Sequence, residues 1–165
     1  MRIRELMTRN VVTLNAQADL ELAEGLMQVM RIRHLPVVSG NRLVGLVTHR
    51  DLLRAALSTL GAHSPAEHAA HKATITVAQV MRDDVATVEP DTDVRDAIAQ
   101  MRKHKYGCLP VVDGDGDLVG IVTEADFLHL MQALLERVEN FDLASLRTLA
   151  SELRAEAIGE QDALD

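Results

Sequence analysis

An internal repeat restricts the fold of this chain more than any other feature of its sequence. The segment Leu-Val-Gly-Leu-Val-Thr-His-Arg-Asp at 43–51 returns as Leu-Val-Gly-Ile-Val-Thr-Glu-Ala-Asp at 118–126. A shift of 74 residues aligns 7–38 with 81–112, with ten of 32 positions identical. After one extra residue in the second hairpin turn, 42–51 matches 117–126 at six of ten positions. Self-similarity at a fixed period indicates a repeated supersecondary unit, so both halves should fold alike.

Each repeat shows the order strand, helix, strand, strand, helix. The prediction for the first repeat is a helical turn at 3–7, then elements at 11–14, 19–30, 35–38, 42–47 and 48–59. For the second repeat it is 85–88, 93–104, 109–112, 117–122 and 123–138. Asp19 should cap the first helix, whose apolar residues recur at helical spacing: Leu22, Ala23, Leu26, Met27 and Met30. Neither repeat can bury its sheet alone at this size, so the two should pack together.

Charge and aromatic content exclude some kinds of partner. The net charge is −8, aromatic residues make up 2% of the chain and Trp is absent. A protein without a basic stripe or stacking aromatics is a poor candidate for binding nucleic acid. Its only cysteine, Cys108, cannot form an internal disulfide, and we see no signal peptide and no apolar run that could span a bilayer. We therefore expect a soluble cytoplasmic protein with no membrane partner.

A Thr with an Asp three residues later follows the last strand of each repeat, as Thr48 with Asp51 and Thr123 with Asp126. One interpretation is structural, because this spacing at a helix start is close to a capping box. The other is functional: a helix N-terminus attracts phosphate, and a carboxylate there can accept hydrogen bonds from two ribose hydroxyls. The residues alone leave both interpretations open.

The motif set resembles the CBS domain, named after cystathionine β-synthase. Leu-Pro-Val-Val precedes Leu-Val-Gly-(Leu/Ile)-Val-Thr-x-x-Asp in each repeat, and two such units in tandem are similar to the CBS pair that binds adenosyl compounds. The resemblance implies an α/β fold with two βαββα repeats around a pseudo-twofold axis, followed by a C-terminal amphipathic helix. The expected boundaries are repeat one at 1–60, a linker at 61–76, repeat two at 77–138, and the C-terminal helix with its acidic tail at 139–165.

The same resemblance assigns ligand-binding roles. The Thr and Asp of each motif would contact ribose and phosphate. The strand residues of 11–13 and 85–87 would line the purine, among them Val12, Thr13, Val85, Ala86 and Thr87. A CBS pair often dimerises through its helices into a flat disc, so we expect a homodimer.

The two repeats differ where phosphates would lie. Arg33 and His34 precede Leu-Pro in the first repeat, whereas Gly107 and Cys108 precede it in the second. Within the motif, His49 and Arg50 are replaced by Glu124 and Ala125. Because Arg suits phosphate oxygens and Glu repels them, our hypothesis is that the first site accepts a nucleotide phosphate. The second site should prefer an uncharged or cationic adenosyl group, or stay empty. Since such phosphates can point into a shared cleft, Arg33 could serve either site.

Three further segments each allow two interpretations. The linker histidines His63, His68 and His71 suggest a metal site, but a solvated connector is favoured because no second-shell support is evident. The run Asp113–Asp117 resembles a calcium loop, yet Leu118 stands where that loop needs Gly, so we predict a hairpin turn. An amphipathic helix starting after Asp142 should either cover the core of the protein itself or of a symmetry mate, or dock another protein.

The expected function is regulatory. No catalytic motif is present, so we do not expect an enzyme, a metal site or an obligatory cofactor. The ligand would be AMP, ADP, ATP or S-adenosylmethionine, and an unknown protein partner would respond to the resulting change of shape. The alternative is a structural or protein-interaction module whose pockets stay empty and whose Thr–Asp pairs act as caps alone.

Overall fold

The computed structural model describes residues 1–57, 74–137, 148, 150–152 and 154. The chain divides into two compact units, Met1–Glu124 and Ala125–Asp165. The first repeat contains a 3-10 helix at Ile3–Glu5, then β1 (Leu14–Asn15), α1 (Leu20–Met30), β2 (His34–Ser39), β3 (Arg42–Thr48) and α2 (His49–Leu57). The second contains a 3-10 helix at Val77–Gln79, then α3 (Val94–His104), β4 (Cys108–Val112), β5 (Leu118–Thr123) and α4 (Glu124–Arg137).

The strands form two small sheets of matching design. β1 runs parallel to β2, and β2 is antiparallel to β3. β4 and β5 form the corresponding antiparallel hairpin, with a single parallel bridge from Val88 to Val111 in the place of β1. Each hairpin shifts register at the same point, after Val37 and after Val111. The predicted α/β fold with two alike repeats is confirmed.

The first strand of each repeat is shorter than predicted. The segments 11–14 and 85–88 were expected to be strands, but the ladder starts only at Leu14 in one and is a single bridge at Val88 in the other. The backbone N–H of Val11 donates to the Arg9 carbonyl (3.0 Å), and that of Val85 donates to the Asp83 carbonyl (3.1 Å). These local turns replace the first ladder hydrogen bonds.

The N-cap of α1 is the residue that the sequence indicates, whereas its buried face includes only some of the regularly spaced apolar residues. The Asp19 carboxylate accepts the Leu22 N–H (2.8 Å), as expected of an N-cap. The face of α1 that packs on the sheet, however, is formed by Leu20, Ala23 and Met27. Leu22 and Met30, which share the helical spacing of the apolar residues, are about half exposed. Spacing alone did not show which edge of the apolar stripe contacts the sheet.

Each repeat donates its N-terminal segment to the other. Ile3 N–H donates to the Thr92 carbonyl (3.0 Å), and Val77 N–H donates to the Ala18 carbonyl (2.7 Å). Both Ile3 and Val77 are completely buried, and Val77 belongs to the core cluster of the first repeat. The two repeats are therefore interlocked, because the N-terminal segment of each is hydrogen-bonded to the other and buried there.

Several sequence predictions concern residues outside this description. His63, His68 and His71 all lie outside the described residues, as does most of the predicted C-terminal helix, although the five described residues at 148, 150–152 and 154 are helical. None of the helices that can be described has the length and apolar character needed to cross a bilayer.

Candidate functional site

A cavity of about 460 Å³ lies where the first repeat's hairpin and α2 meet the start of β4. Its volume is in the range of small-molecule sites. Six residues predicted for the site line it: Arg33, His34, Thr48, His49, Arg50 and Cys108. The other lining residues were not in the prediction: Leu46, Leu53, Arg82, Lys105, Tyr106, Gly107 and Glu124.

Thr48 and Asp51 form a reciprocal capping box at the start of α2. Asp51 Oδ2 accepts hydrogen bonds from the Thr48 N–H (2.9 Å) and from Thr48 Oγ1 (2.6 Å). The Asp51 N–H in turn donates to Thr48 Oγ1 (3.3 Å). The structural interpretation of this pair is thus confirmed, and it occupies only one of the two carboxylate oxygens.

The other oxygen of Asp51 faces a cation. Arg82 Nη2 lies 3.6 Å from Asp51 Oδ1. Asp51 is only 7% exposed, whereas the Arg82 side chain is 55% exposed. A nearly buried carboxylate requires such a counter-charge or hydrogen bonds. Asp51 itself does not line the cavity, although Thr48 and Arg82, which contact it, do. Of its two oxygens, Oδ1 is the one that a ligand hydroxyl could share with Arg82.

The start of α2 offers fewer backbone donors than the sequence suggested. The His49 N–H donates to the Arg33 carbonyl (2.9 Å), and the Asp51 N–H is used in the capping box. A phosphate here would therefore be bound mainly by side chains. Arg33, Arg50, Arg82 and Lys105 line the cavity, with Glu124 as the acidic member of the lining.

His34 is a largely neutral member of this cationic lining. Burial, assisted by the positive charge of Arg33, lowers the pKa of His34 below its usual 6.5, while Glu124 and Asp51 oppose the shift. A Cβ placed on Gly107 would lie 2.9 Å from His34 Nε2. The bare backbone at Gly107 thus leaves room for the imidazole.

Cys108 lines the cavity as a thiol. It is 5% exposed, and burial, with a smaller effect from Glu124, raises its pKa to about 12. Since the thiolate is the reactive form, Cys108 behaves as a small apolar residue at neutral pH.

The predicted purine-lining residues occupy different places. Val85 and Thr87 line a smaller cavity of about 200 Å³, next to Val44 and Gly45 of β3. Val12 packs against the core of the first repeat. Thr13 and Ala86 are partly buried and line neither of these two cavities.

The second Thr–Asp pair can be placed only in part. Thr123 ends β5, and Asp126 lies in the first turn of α4; both are partly buried. Each has an interaction within the chain. Thr123 does not line either of the two cavities described here.

The acidic turn is a hairpin turn, as predicted. The Asp113 carboxylate accepts the N–H groups of Asp115 and Asp117 (both 3.0 Å), so it stabilises the turn. Within the described part of the chain, no three His, Cys, Asp or Glu side chains cluster in a way that could hold a metal ion.

The chain is similar to known proteins over both repeats. The family model of the CBS domain matches it twice, at residues 3–58 and 77–133. It is 33% identical over 127 residues to inosine-5'-monophosphate dehydrogenase of Thermoplasma acidophilum, a match that covers 77% of this chain and 23% of the enzyme. The chain thus spans about a quarter of the length of that relative.

Two similar solved structures contain adenosyl ligands. One is the CBS domain pair of protein MJ0100 in complex with 5'-methylthioadenosine and S-adenosyl-L-methionine, with a TM-score of 0.68 at 25% identity, covering 81% of this chain and 97% of that one. The other is CBSX2 in complex with AMP, with a TM-score of 0.68 at 26% identity and the same coverage of both chains, 81% and 97%.

Proposed function

The chain belongs to the CBS domain family, with two CBS domains in tandem, and on this premise we propose that it is a regulatory module that binds an adenosyl ligand. The ligand class is AMP, ADP, ATP or S-adenosylmethionine. Binding changes the shape of the module, and a protein partner responds to that change. The chain itself performs no catalysis in this proposal and acts in the cytoplasm.

The arrangement of Asp51 carries the proposal, because this carboxylate is joined to two residues that line the 460 Å³ cavity, Thr48 and Arg82. One carboxylate oxygen is held by Thr48, and the other lies 3.6 Å from Arg82. A fixed carboxylate whose second oxygen faces a cation suits ribose hydroxyls, since hydroxyls donate to it. Arg33, Arg50 and Lys105 line the same cavity, and guanidinium groups suit the oxygens of an attached phosphate.

The two sites are expected to differ in ligand charge. Cations around Thr48 and Asp51 favour a phosphate-bearing nucleotide in the first site. In the second repeat, Glu124, which also lines the first cavity among four cationic side chains, stands where the first repeat has His49, and Ala125 stands where it has Arg50. We therefore infer that the site of Thr123 and Asp126 takes an uncharged or cationic adenosyl group, or none.

We also propose that the protein acts as a homodimer. Leu53 of α2 and Leu128 of α4 are large apolar side chains that are more than half exposed, and a second copy of the chain would cover such residues. A ligand shifts the dimer only to the extent that it binds one of its states more tightly.

Calorimetric titration tests the ligand. The full chain is titrated with AMP, ADP, ATP and S-adenosylmethionine, and its melting temperature is measured with each, because a ligand that binds only the native state must raise it. We expect at least one nucleotide to bind and the Asp51→Asn variant to lose most of that affinity. The Asp19→Ala variant removes an N-cap of α1 away from the cavity, so it should lose stability but keep the affinity.

The alternative is a structural module with empty sites. The capping box of Thr48 and Asp51 favours it, because those hydrogen bonds stabilise α2 without any ligand. No heat of binding and no melting shift with all four compounds would support this alternative and refute the ligand proposal.

A further inference from the structure

We propose that Arg82, a residue of the second repeat, determines the ligand specificity of the first repeat's site. It pairs with Asp51 when the site is empty and binds the ligand's phosphate when the ribose occupies Asp51. The site would then select nucleotides that carry a phosphate over the bare nucleoside. This inference rests on the proposed function and adds the ligand class and the selecting residue.

The backbone of Arg82 is fixed while its side chain is not. The Arg82 N–H donates to the Leu46 carbonyl (3.0 Å), and the Leu46 N–H donates to the Arg82 carbonyl (2.9 Å). This bridge anchors the backbone of Arg82 beside Leu46 of β3, and Leu46 lies two residues before Thr48 in the sequence. The side chain, however, is 55% exposed and held to Asp51 by one contact of 3.6 Å. The guanidinium can therefore change its position in the cavity while the backbone of Arg82 stays in place.

The negative charge of Asp51 explains why the Arg82 guanidinium would move from this carboxylate to a ligand phosphate. The nearly buried carboxylate needs a partner in the empty site, and Arg82 supplies it. A ribose hydroxyl that donates to Oδ1 takes over part of that role. The guanidinium then has donors to spare for phosphate oxygens in the same cavity, and a phosphate satisfies them better than water does.

The second repeat provides a built-in comparison. A shift of 74 residues places Thr8 at the position of Arg82. Thr8 bridges Ile121 as Arg82 bridges Leu46, through a pair of hydrogen bonds of 2.9 and 3.0 Å. The same backbone arrangement thus presents a guanidinium to the first repeat and a hydroxyl to the second.

The test compares AMP with adenosine in the full chain. Both are titrated by calorimetry into the wild type, Arg82→Thr, Arg82→Lys and the matched control Thr8→Ala. A charge-assisted hydrogen bond corresponds to about tenfold to hundredfold in affinity. We expect Arg82→Thr to weaken AMP binding by about tenfold or more, and adenosine binding to stay within about twofold or tighten, because Asp51 is released.

Arg82→Lys keeps a positive charge beside Asp51. It therefore allows the proposal to be tested even if Arg82→Thr does not fold. It should weaken AMP binding by a smaller factor, since an ammonium cannot bind phosphate through two parallel hydrogen bonds. Thr8→Ala should leave the affinity of the first site unchanged. A reduced AMP preference in both Arg82 variants supports the inference.

Two results would overturn it, and they are distinguishable. If AMP binds the wild type and both Arg82 variants equally well, Arg82 does not select the phosphate, while the proposed function stands. If neither AMP nor adenosine binds the wild type, the inference fails together with the proposed function for these ligands.

Discussion

Met81 lies directly over Gly45: a Cβ placed on this glycine would be 2.6 Å from the Met81 sulfur and 3.0 Å from the Arg82 carbonyl oxygen. The relationship recurs between Met7 and Gly120, where the distance to the sulfur is 2.5 Å. The glycine of each Leu-Val-Gly motif thus makes room for the segment that arrives from the other repeat.

Gly45→Ala should therefore destabilise the protein by about 1–3 kcal/mol, as overpacking of a tight site does. Urea unfolding measures the change. Gly25→Ala is the matched control, because nothing lies within 4 Å of a Cβ there and Gly25 is inside α1. The control should gain about 0.5–1 kcal/mol. Equal effects of the two variants would show that Met81 does not crowd Gly45.

Thr48→Val removes the hydroxyl from the capping box at nearly constant shape. Loss of such a cap costs about 1–2 kcal/mol of unfolding free energy. We expect a similar loss of stability from Asp19→Ala, but reduced AMP affinity from Thr48→Val alone, since Thr48 lines the cavity. Urea unfolding and calorimetry are run on both variants. Unchanged AMP affinity in Thr48→Val would assign that residue to folding only.

The lowered pKa of His34 makes stability depend on pH in a defined direction. Well above pH 6.5 the imidazole is neutral in both the folded and the unfolded state, so it leaves the free energy of unfolding unchanged. As the pH falls through 6.5, the unfolded chain binds a proton that the native state resists, and stability falls. The loss levels off once the pH passes below the pKa of the folded state.

Urea unfolding at pH 7.5 and 5.5 measures this dependence. The wild type should lose more stability between the two values than His34→Gln does. His104→Gln, at an exposed position of α3, should behave like the wild type. Asp93 does not interfere, because its pKa is lowered from 3.8 by the hydrogen bonds with Arg95, and its stabilisation is lost only below that value. An equal loss of unfolding free energy between pH 7.5 and 5.5 in the wild type and in His34→Gln would contradict the prediction.

Cys108 should resist thiol reagents in the native state. Its burial and its pKa of about 12 leave almost no thiolate at pH 8. Labelling with Ellman's reagent should be slow in buffer and complete in guanidinium chloride, and the signal is unambiguous because the chain has one cysteine. Rapid labelling of the folded protein would show that the cavity opens to Cys108.

The repeat made most of the fold predictable, since two copies of each motif confirmed one another. The cap at Asp19 and the turn at Asp113 followed from side-chain chemistry. The exchange of N-terminal segments did not, because hydrogen bonds such as Val77 to Ala18 leave no periodic pattern. Arg82 was missed for the same reason: its role depends on a partner in the other repeat. The single available signal was its alignment with Thr8.

The exchange of the segments around Ile3 and Val77 means that the two repeats depend on each other for their packing. A single repeat could obtain the same contacts only from the leading segment of a second copy, because its own segment packs on the other repeat. Once the two copies became one polypeptide, they no longer had to share a sequence. Position 8 is Thr and position 82 is Arg, so the two interlocked repeats carry different side chains at equivalent positions.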